Sequence, residues 1–198
     1  AASLWGMARV QHAEHPGLIG GVIDIGTPHA DQAEAVMRFL SAAATGDRRR
    51  VVRNGTCLAE RCVRVPTAAT SPTQALDPDR AYLITGGLGA LGLVVAQALV
   101  RWGARRLVLL GRRIDRTSAL ANVDRLRAAG VAVEACALDI ADPHALGDLL
   151  AQLDAKDWLL AGIVHAAGVL DDGLISGLTP QRVRDVLKPK VAGAINLH

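Results

Sequence analysis

The chain has 198 residues, of which 51% are hydrophobic, 21% charged and 3% aromatic, with a formal net charge of +3. That length can bury a core as one large domain or two small ones, and the apolar content excludes a disordered tail. So few aromatics disfavour a base-stacking nucleic-acid module, and so small a net charge gives no argument for binding DNA or a membrane surface.

Residues 81–100 carry no charge, but four glycines, Thr85 and Gln97 interrupt the run. Its periodicity also changes midway from strand to helix, so it is not read as a membrane span. No basic stretch leads into a signal-peptide core, which makes the cytoplasm the expected compartment. Cys57, Cys62 and Cys136 contain no C-x-x-C pair, so buried free thiols are expected rather than disulfides or a metal site.

In chain order, residues 4–13 are expected to be helical, 18–25 a strand and 31–43 a helix with Ala35, Val36, Phe39 and Leu40 on its apolar side. Residues 50–65 alternate around Asn54-Gly55, a two-residue hairpin signal. The arginine run 48–50 is read as a solvated turn before that hairpin, with an anionic-ligand patch as the alternative. Thr27-Pro28 follows the first strand where a phosphate cradle would need glycines, so this half has none. Residues 66–79, rich in Thr, Ser, Pro and Asp, are expected to be a linker.

From residue 80 strand and helix signals alternate. Residues 81–84, 107–110, 131–137 and 159–165 read as strands. Residues 91–102 read as a helix, and 118–129 as another, with Ser118 near its N-cap and Gly130 just past its end. Asp142-Pro143 starts a helix carrying Leu146, Leu149, Leu150 and Leu153 on one side. Thr179-Pro180 starts another with Val183, Val186 and Leu187 inward, and a last helical stretch begins near Val191. Four strands joined by helical crossovers imply an α/β fold with a parallel, doubly wound sheet.

The chemistry concentrates at the ends of those strands. Thr85-Gly-Gly-Leu-Gly-Ala-Leu-Gly92 lies between the first strand and its helix. Gly87, Gly89 and Gly92 there permit a tight turn, close approach to a pyrophosphate and packing of the helix on the sheet. The second strand ends in Gly111-Arg112-Arg113 with no terminal carboxylate, and Asp115 comes too late to bind a ribose. This favours a 2′-phosphate and hence NADPH, unless the arginines only cover the sheet edge. Asp139, past the third strand, either meets an adenine rim or caps the turn before Ala141. His165-Ala-Ala-Gly168 ends the fourth strand with small residues suited to a nicotinamide ribose, and His165 is read as structural rather than as a base.

Residues 82–92, 107–113, Asp139, 165–172 and Leu187-Lys-Pro-Lys-Val-Ala-Gly193 together resemble the ketoreductase domain of modular type I polyketide synthases, within the short-chain dehydrogenase/reductase superfamily. Residues 4–10, 14–17 and 20–24 resemble the end of that family's structural subdomain, a truncated, cofactor-less Rossmann half. The resemblance implies residues 1–65 as the C-terminal part of that subdomain and 66–79 as a linker. Residues 80–198 then form the N-terminal part of a Rossmann-type, NADPH-binding catalytic subdomain.

It further implies cofactor contacts from Thr85, Gly86, Gly87, Leu88, Gly89, Leu91, Gly92, Arg112, Arg113, Asp139, Ala166, Ala167 and Gly168. The reaction implied is reduction of a 3-ketoacyl thioester on an acyl carrier protein, among the other domains of the synthase. Lys190 is the implied catalytic lysine, although spacing alone makes it a surface lysine. The serine and tyrosine of the family lie beyond the segment that ends at His198, so the chain is expected to be a fragment, inactive alone. Its single tyrosine, Tyr82, sits on the wrong element to be the acid. Leu170-Asp171-Asp172 resembles the marker of B-type reductases, which give the 3R alcohol, and by local reading is a solvated turn. A non-catalytic module bracing neighbouring domains is the alternative function. A short-chain reductase acting on free substrates is a third, disfavoured by residues 5–24.

Overall fold

The computed structural model describes residues 2–18, 21–26, 30–41, 49–54, 56–65, 75–114 and 117–198. The chain divides into two compact units, Ala1–Ala68 with Gly173–Leu178, and Ala69–Asp172 with Thr179–His198. Among the described residues no helix is long and apolar enough to cross a membrane.

In the first unit, α1 (Ala2–Glu14), β1 (Val22–Ile25) and α2 (Ala30–Ser41) precede the hairpin of β2 (Arg49–Arg53) and β3 (Thr56–Ala59). The sheet order is β1-β2-β3, with β1 parallel and β3 antiparallel to β2. Asn54 takes φ +49°, the left-handed conformation a two-residue hairpin turn requires and asparagine tolerates; Gly55 lies outside the described residues. Ala8, Phe39 and Val52 are buried. Arg53 pairs with Asp24 at 3.0 Å, and Glu60 takes Arg9 and Arg49.

Three expectations fail in this unit. Leu40 points to solvent, 62% exposed, leaving Phe39 as the buried residue of α2, while the Ala35 side chain lies outside the described residues. Arg49 and Arg50 belong to β2 and pair with β1 rather than forming a turn, and Arg48 lies outside the described residues. Cys57 and Cys62 are exposed, Cys57 because β3 is an edge strand with little packed over it and Cys62 on the stretch that follows β3.

The second unit is the expected parallel α/β sheet, in the order β6-β5-β4-β7, from β4 (Ala81–Thr85), β5 (Arg106–Gly111), β6 (Ala132–Ala137) and β7 (Leu160–His165). Helices α3 (Ala90–Arg101) and α4 (Thr117–Ala128) cover one face: Ala96, Leu99, Val123 and Leu126 pack on Ile84, Leu107 and Leu109. Helix α5 (Pro143–Ala155) covers the other, setting Leu146, Leu149 and Leu153 on Leu83, Val108 and Leu110. β4 and residues 107–110 of β5 are buried because successive side chains feed both cores. The winding therefore reverses at β4, where ligand crevices form at the carboxyl ends of strands.

Local chemistry sets the helix ends. Asp142 caps α5 by accepting N–H bonds from His144 and Ala145, Thr179 caps α6 (Pro180–Leu197) through Arg182 N–H, and proline opens both helices. Gly130 takes φ +79° just beyond α4; the Ser118 side chain lies outside the described residues. Leu76, inside the expected linker, donates its N–H to Trp102 O at 2.7 Å and packs on the α3 core.

The last helical stretch is not separate. α6 runs through Pro189 as one 18-residue helix, although a proline removes a backbone donor and crowds the preceding turn. Tertiary contacts hold its second half: His165 Nε2 lies 3.0 Å from Pro189 O, Asn196 donates to Ile140 O, and Gly193 sits against Ile140 and His165. Leu187, expected inward, is 40% exposed.

Candidate functional site

A cleft of about 270 Å³ opens at the carboxyl ends of β4, β5, β6 and β7. Its floor is the loop between β4 and α3. Gly86 takes φ +66°, and a Cβ there would stand 2.7 Å from Ala166 O. Gly89 is the N-cap of α3 and offers no side-chain cap, unlike Asp142 and Thr179 on the other helices. The first intrahelical bond of α3 is Leu93 N–H to Gly89 O. The first-turn N–H groups ahead of it therefore point out of the helix without a carbonyl partner, an anion site reinforced by the helix dipole.

The β5 end contributes Leu110, Gly111, Arg112 and Arg113, and the stretch after β6 contributes Leu138, Asp139 and Ile140. Asp139 accepts Ala141 N–H at 3.0 Å and lies 2.9 Å from Lys188 Nζ. The Lys188 hydrogen bond, followed by the Ala141 N–H, holds the Asp139 carboxyl below its usual range; the same pairing raises Lys188. Asp139 thus caps its turn and lines the cleft at once.

Beyond β7 the wall is Ala166, Ala167, Gly168 and Val169, faced by Pro189 of α6. Parallel pairing sets Thr85 beside His165. Thr85 Oγ1 accepts Ala167 N–H at 3.0 Å and lies 2.6 Å from His165 Nδ1. The Pro189 carbonyl can only accept, so His165 carries its proton on Nε2, and Nδ1 accepts from the Thr85 hydroxyl. This relay joins β4, the Ala167 turn and α6. The Lys190 side chain runs past Gly168, its Cε 3.9 Å from where a Cβ on that glycine would stand.

Ten of the expected cofactor residues line the cleft: Thr85, Gly86, Leu88, Gly89, Arg112, Arg113, Asp139, Ala166, Ala167 and Gly168. Three do not. Leu91 faces outward and is 66% exposed. Gly87 and Gly92 lie under the loop: a Cβ would meet Ile84 O at 2.7 Å from Gly87 and Gly86 O at 2.2 Å from Gly92. They shape the loop without touching the cleft. Tyr82 is buried, and its hydroxyl accepts Asp77 N–H at 2.9 Å.

All the residues lining this cleft, from Thr85 to Pro189, lie within the span matched by one family. The model described as "KR domain" matches residues 80–198. The chain belongs to the ketoreductase (KR) domain family.

This KR sequence is 39% identical over 199 residues to polyketide synthase GfsB of Streptomyces halstedii, an alignment covering all of the chain and 3% of GfsB. Its fold matches the ketoreductase from the first module of phoslactomycin biosynthesis in Streptomyces sp. HK803, with a TM-score of 0.85 and 34% identity over all of this chain and 46% of that one. It also matches a solved A1-type ketoreductase, with a TM-score of 0.84 and 36% identity over 98% of this chain and 41% of that one. The KR chain thus spans a small part of the curated relative and less than half of each solved domain.

Sequence reasoning missed Leu110, Gly111, Leu138, Ile140, Val169 and Pro189 in the cleft, and Lys188 beside it. The first five adjoin motif residues at strand ends and were readable as their neighbours. Pro189 and Lys188 arrive only through the packing of α6. At the start of α6, Arg182 grips the Asp171 carboxylate with two bonds of 2.7 Å, fixing the KR loop that leads out of the cleft. Leu170 stands free on that loop, 85% exposed. Among the described residues no cluster of side chains is suited to a metal ion.

Proposed function

We propose that this chain is the cofactor-binding part of a ketoreductase that uses NADPH to reduce the 3-keto group of an acyl thioester on an acyl carrier protein, within a cytoplasmic multidomain synthase. One observation carries the reading: the uncapped glycine N-terminus of α3 and the Arg112-Arg113 pair face a single cleft. A helix terminus and a guanidinium pair suit two separate phosphate groups, which a dinucleotide bearing a 2′-phosphate supplies.

When bound, NADPH supplies the hydride. Gly86, Leu88, Gly89 and the first turn of α3 would hold its pyrophosphate, Arg112 and Arg113 its 2′-phosphate, and Asp139 would border its adenine. Ala166 to Gly168 would leave room for the nicotinamide ribose, and Lys190, passing Gly168, would orient it. Tyr82, the single tyrosine of these 198 residues, is buried and does not line the cleft, so it is not placed to protonate an alkoxide there, and the chain alone is expected to bind cofactor without turnover. Residues 1–65 are proposed as the C-terminal part of the structural subdomain, 66–79 as the linker and 80–198 as the catalytic part.

The stereochemical type rests on local residues, since an A1-type relative shares the fold closely. Leu170-Asp171-Asp172 supports B-type reduction to the 3R alcohol, the loop favouring entry of the substrate from one side. Fluorescence titration of the chain with NADPH and NADH tests the cofactor reading: tighter binding of NADPH supports it, and equal binding overturns it. Chiral chromatography of the alcohol made by a ketoreductase carrying this sequence tests the type, and a predominantly 3S product refutes it.

A further inference from the structure

Among the described residues lining the cleft, Asp139 is the one acidic group, and it shares the cleft with Arg112 and Arg113. A free carboxylate there would act in two harmful ways. It would repel a phosphate bound by the arginines, and it would draw Arg112, whose charge already helps hold the Asp139 carboxyl down, away from that phosphate. Lys188 does not line the cleft, yet its Nζ reaches the Asp139 carboxylate at 2.9 Å. Residues two apart on a helix face different ways. Around Pro189, Lys188 thus serves the Asp139 end of the cleft while Lys190 passes Gly168 at the other.

We propose that Lys188 is a specificity-determining residue for the 2′-phosphate: it neutralises Asp139 and leaves Arg112 and Arg113 as a net positive seat for a phosphomonoester on the adenosine ribose. Lys188 acts through Asp139, as a positioning residue, and the proposal rests on the NADPH reading above. Calorimetric titration of this chain with adenosine 2′,5′-bisphosphate and with adenosine 5′-monophosphate, at fixed salt, isolates the 2′-phosphate without any turnover.

The wild-type chain prefers the bisphosphate. Lys188→Met shrinks that preference roughly threefold to tenfold, the scale of one screened unit charge near a surface, and Lys188→Arg restores it. Adding Asp139→Asn to Lys188→Met also restores it, because no carboxylate is left to neutralise. An unchanged preference in Lys188→Met makes the lysine a mere strap and overturns the proposal. Failure of the double variant to recover means that Lys188 touches the phosphate itself, which overturns it too. A wild-type chain with no preference overturns the NADPH reading and this proposal together, whereas a preference lost in Arg112→Ala but kept in Lys188→Met overturns this proposal alone.

Discussion

Gly92→Ala and Gly147→Ala are the same substitution in two helices and have opposite consequences. In α5, Gly147 is exposed and a Cβ there meets nothing within 4 Å. Alanine at that position removes backbone freedom from the unfolded chain and stabilises by about 0.5–1 kcal/mol. In α3, a Cβ on Gly92 stands 2.2 Å from Gly86 O and 2.6 Å from Gly87 Cα. Both neighbours are backbone, so no rotamer change relieves the clash. Restoring a 3.4 Å contact to Gly86 O moves the 86–89 loop by about 1.2 Å. Overpacking of this kind costs about 2–3 kcal/mol, against up to about 1 gained in helix propensity. The net loss of about 1–2 kcal/mol lowers the thermal midpoint of a chain this size by roughly 2–8 °C. The loop that shifts is the one proposed to hold the pyrophosphate, so NADPH affinity is expected to fall by about tenfold or more in Gly92→Ala and to stay unchanged in Gly147→Ala. Thermal denaturation with NADPH fluorescence titration checks both variants. A Gly92→Ala chain with wild-type stability and affinity refutes the reasoning.

Arg112→Ala weakens NADPH binding by about 1.5–3 kcal/mol, the value of charge-assisted hydrogen bonds, and leaves NADH nearly untouched; equal losses toward both assign the phosphate elsewhere. Thr85→Val keeps the shape but leaves Ala167 N–H and His165 Nδ1 without their hydroxyl, costing about 1–3 kcal/mol in urea unfolding. Arg182→Ala releases the 170–172 loop and erodes the enantiomeric purity of the alcohol made by a ketoreductase carrying this sequence, with Arg182→Lys intermediate because it loses the two-pronged grip on Asp171; unchanged purity counts against the loop's role. Asp139 and Asp171 both titrate below the usual 3.8. Their contribution to stability is therefore full above about pH 4 and lost as pH falls through the folded values, whereas that of Lys188, raised from 10.5, is lost as pH rises beyond that value. Asp139→Asn flattens the alkaline limb and reduces the acid limb to the part that Asp171 carries, which denaturation midpoints across pH report.

The local chemistry of the sequence determined most of the secondary structure and the outline of the cleft. Asn54 can take φ +49°, Asp142-Pro143 and Thr179-Pro180 cap and open helices, and the 85–92 glycines demand a turn between strand and helix. Each of these acts over a few neighbouring residues, so the order of residue types suffices. Division of labour among the glycines was not legible: Gly86 and Gly89 line the cleft, while Gly87 and Gly92 are buried against backbone, a difference created by β5 and the 86–87 turn lying on them. A proline at 189 locally disfavours one continuous helix. His165, Asn196 and the Gly193 contact override it, so that one continuous helix brings Pro189 to the cleft with Lys188 and Lys190 beside it. The Asp139–Lys188 pair spans 49 residues. Tertiary structure alone decided it, because ion pairs and close packing depend on which surfaces meet in space, and α6 meets the end of β6 only once the sheet is wound.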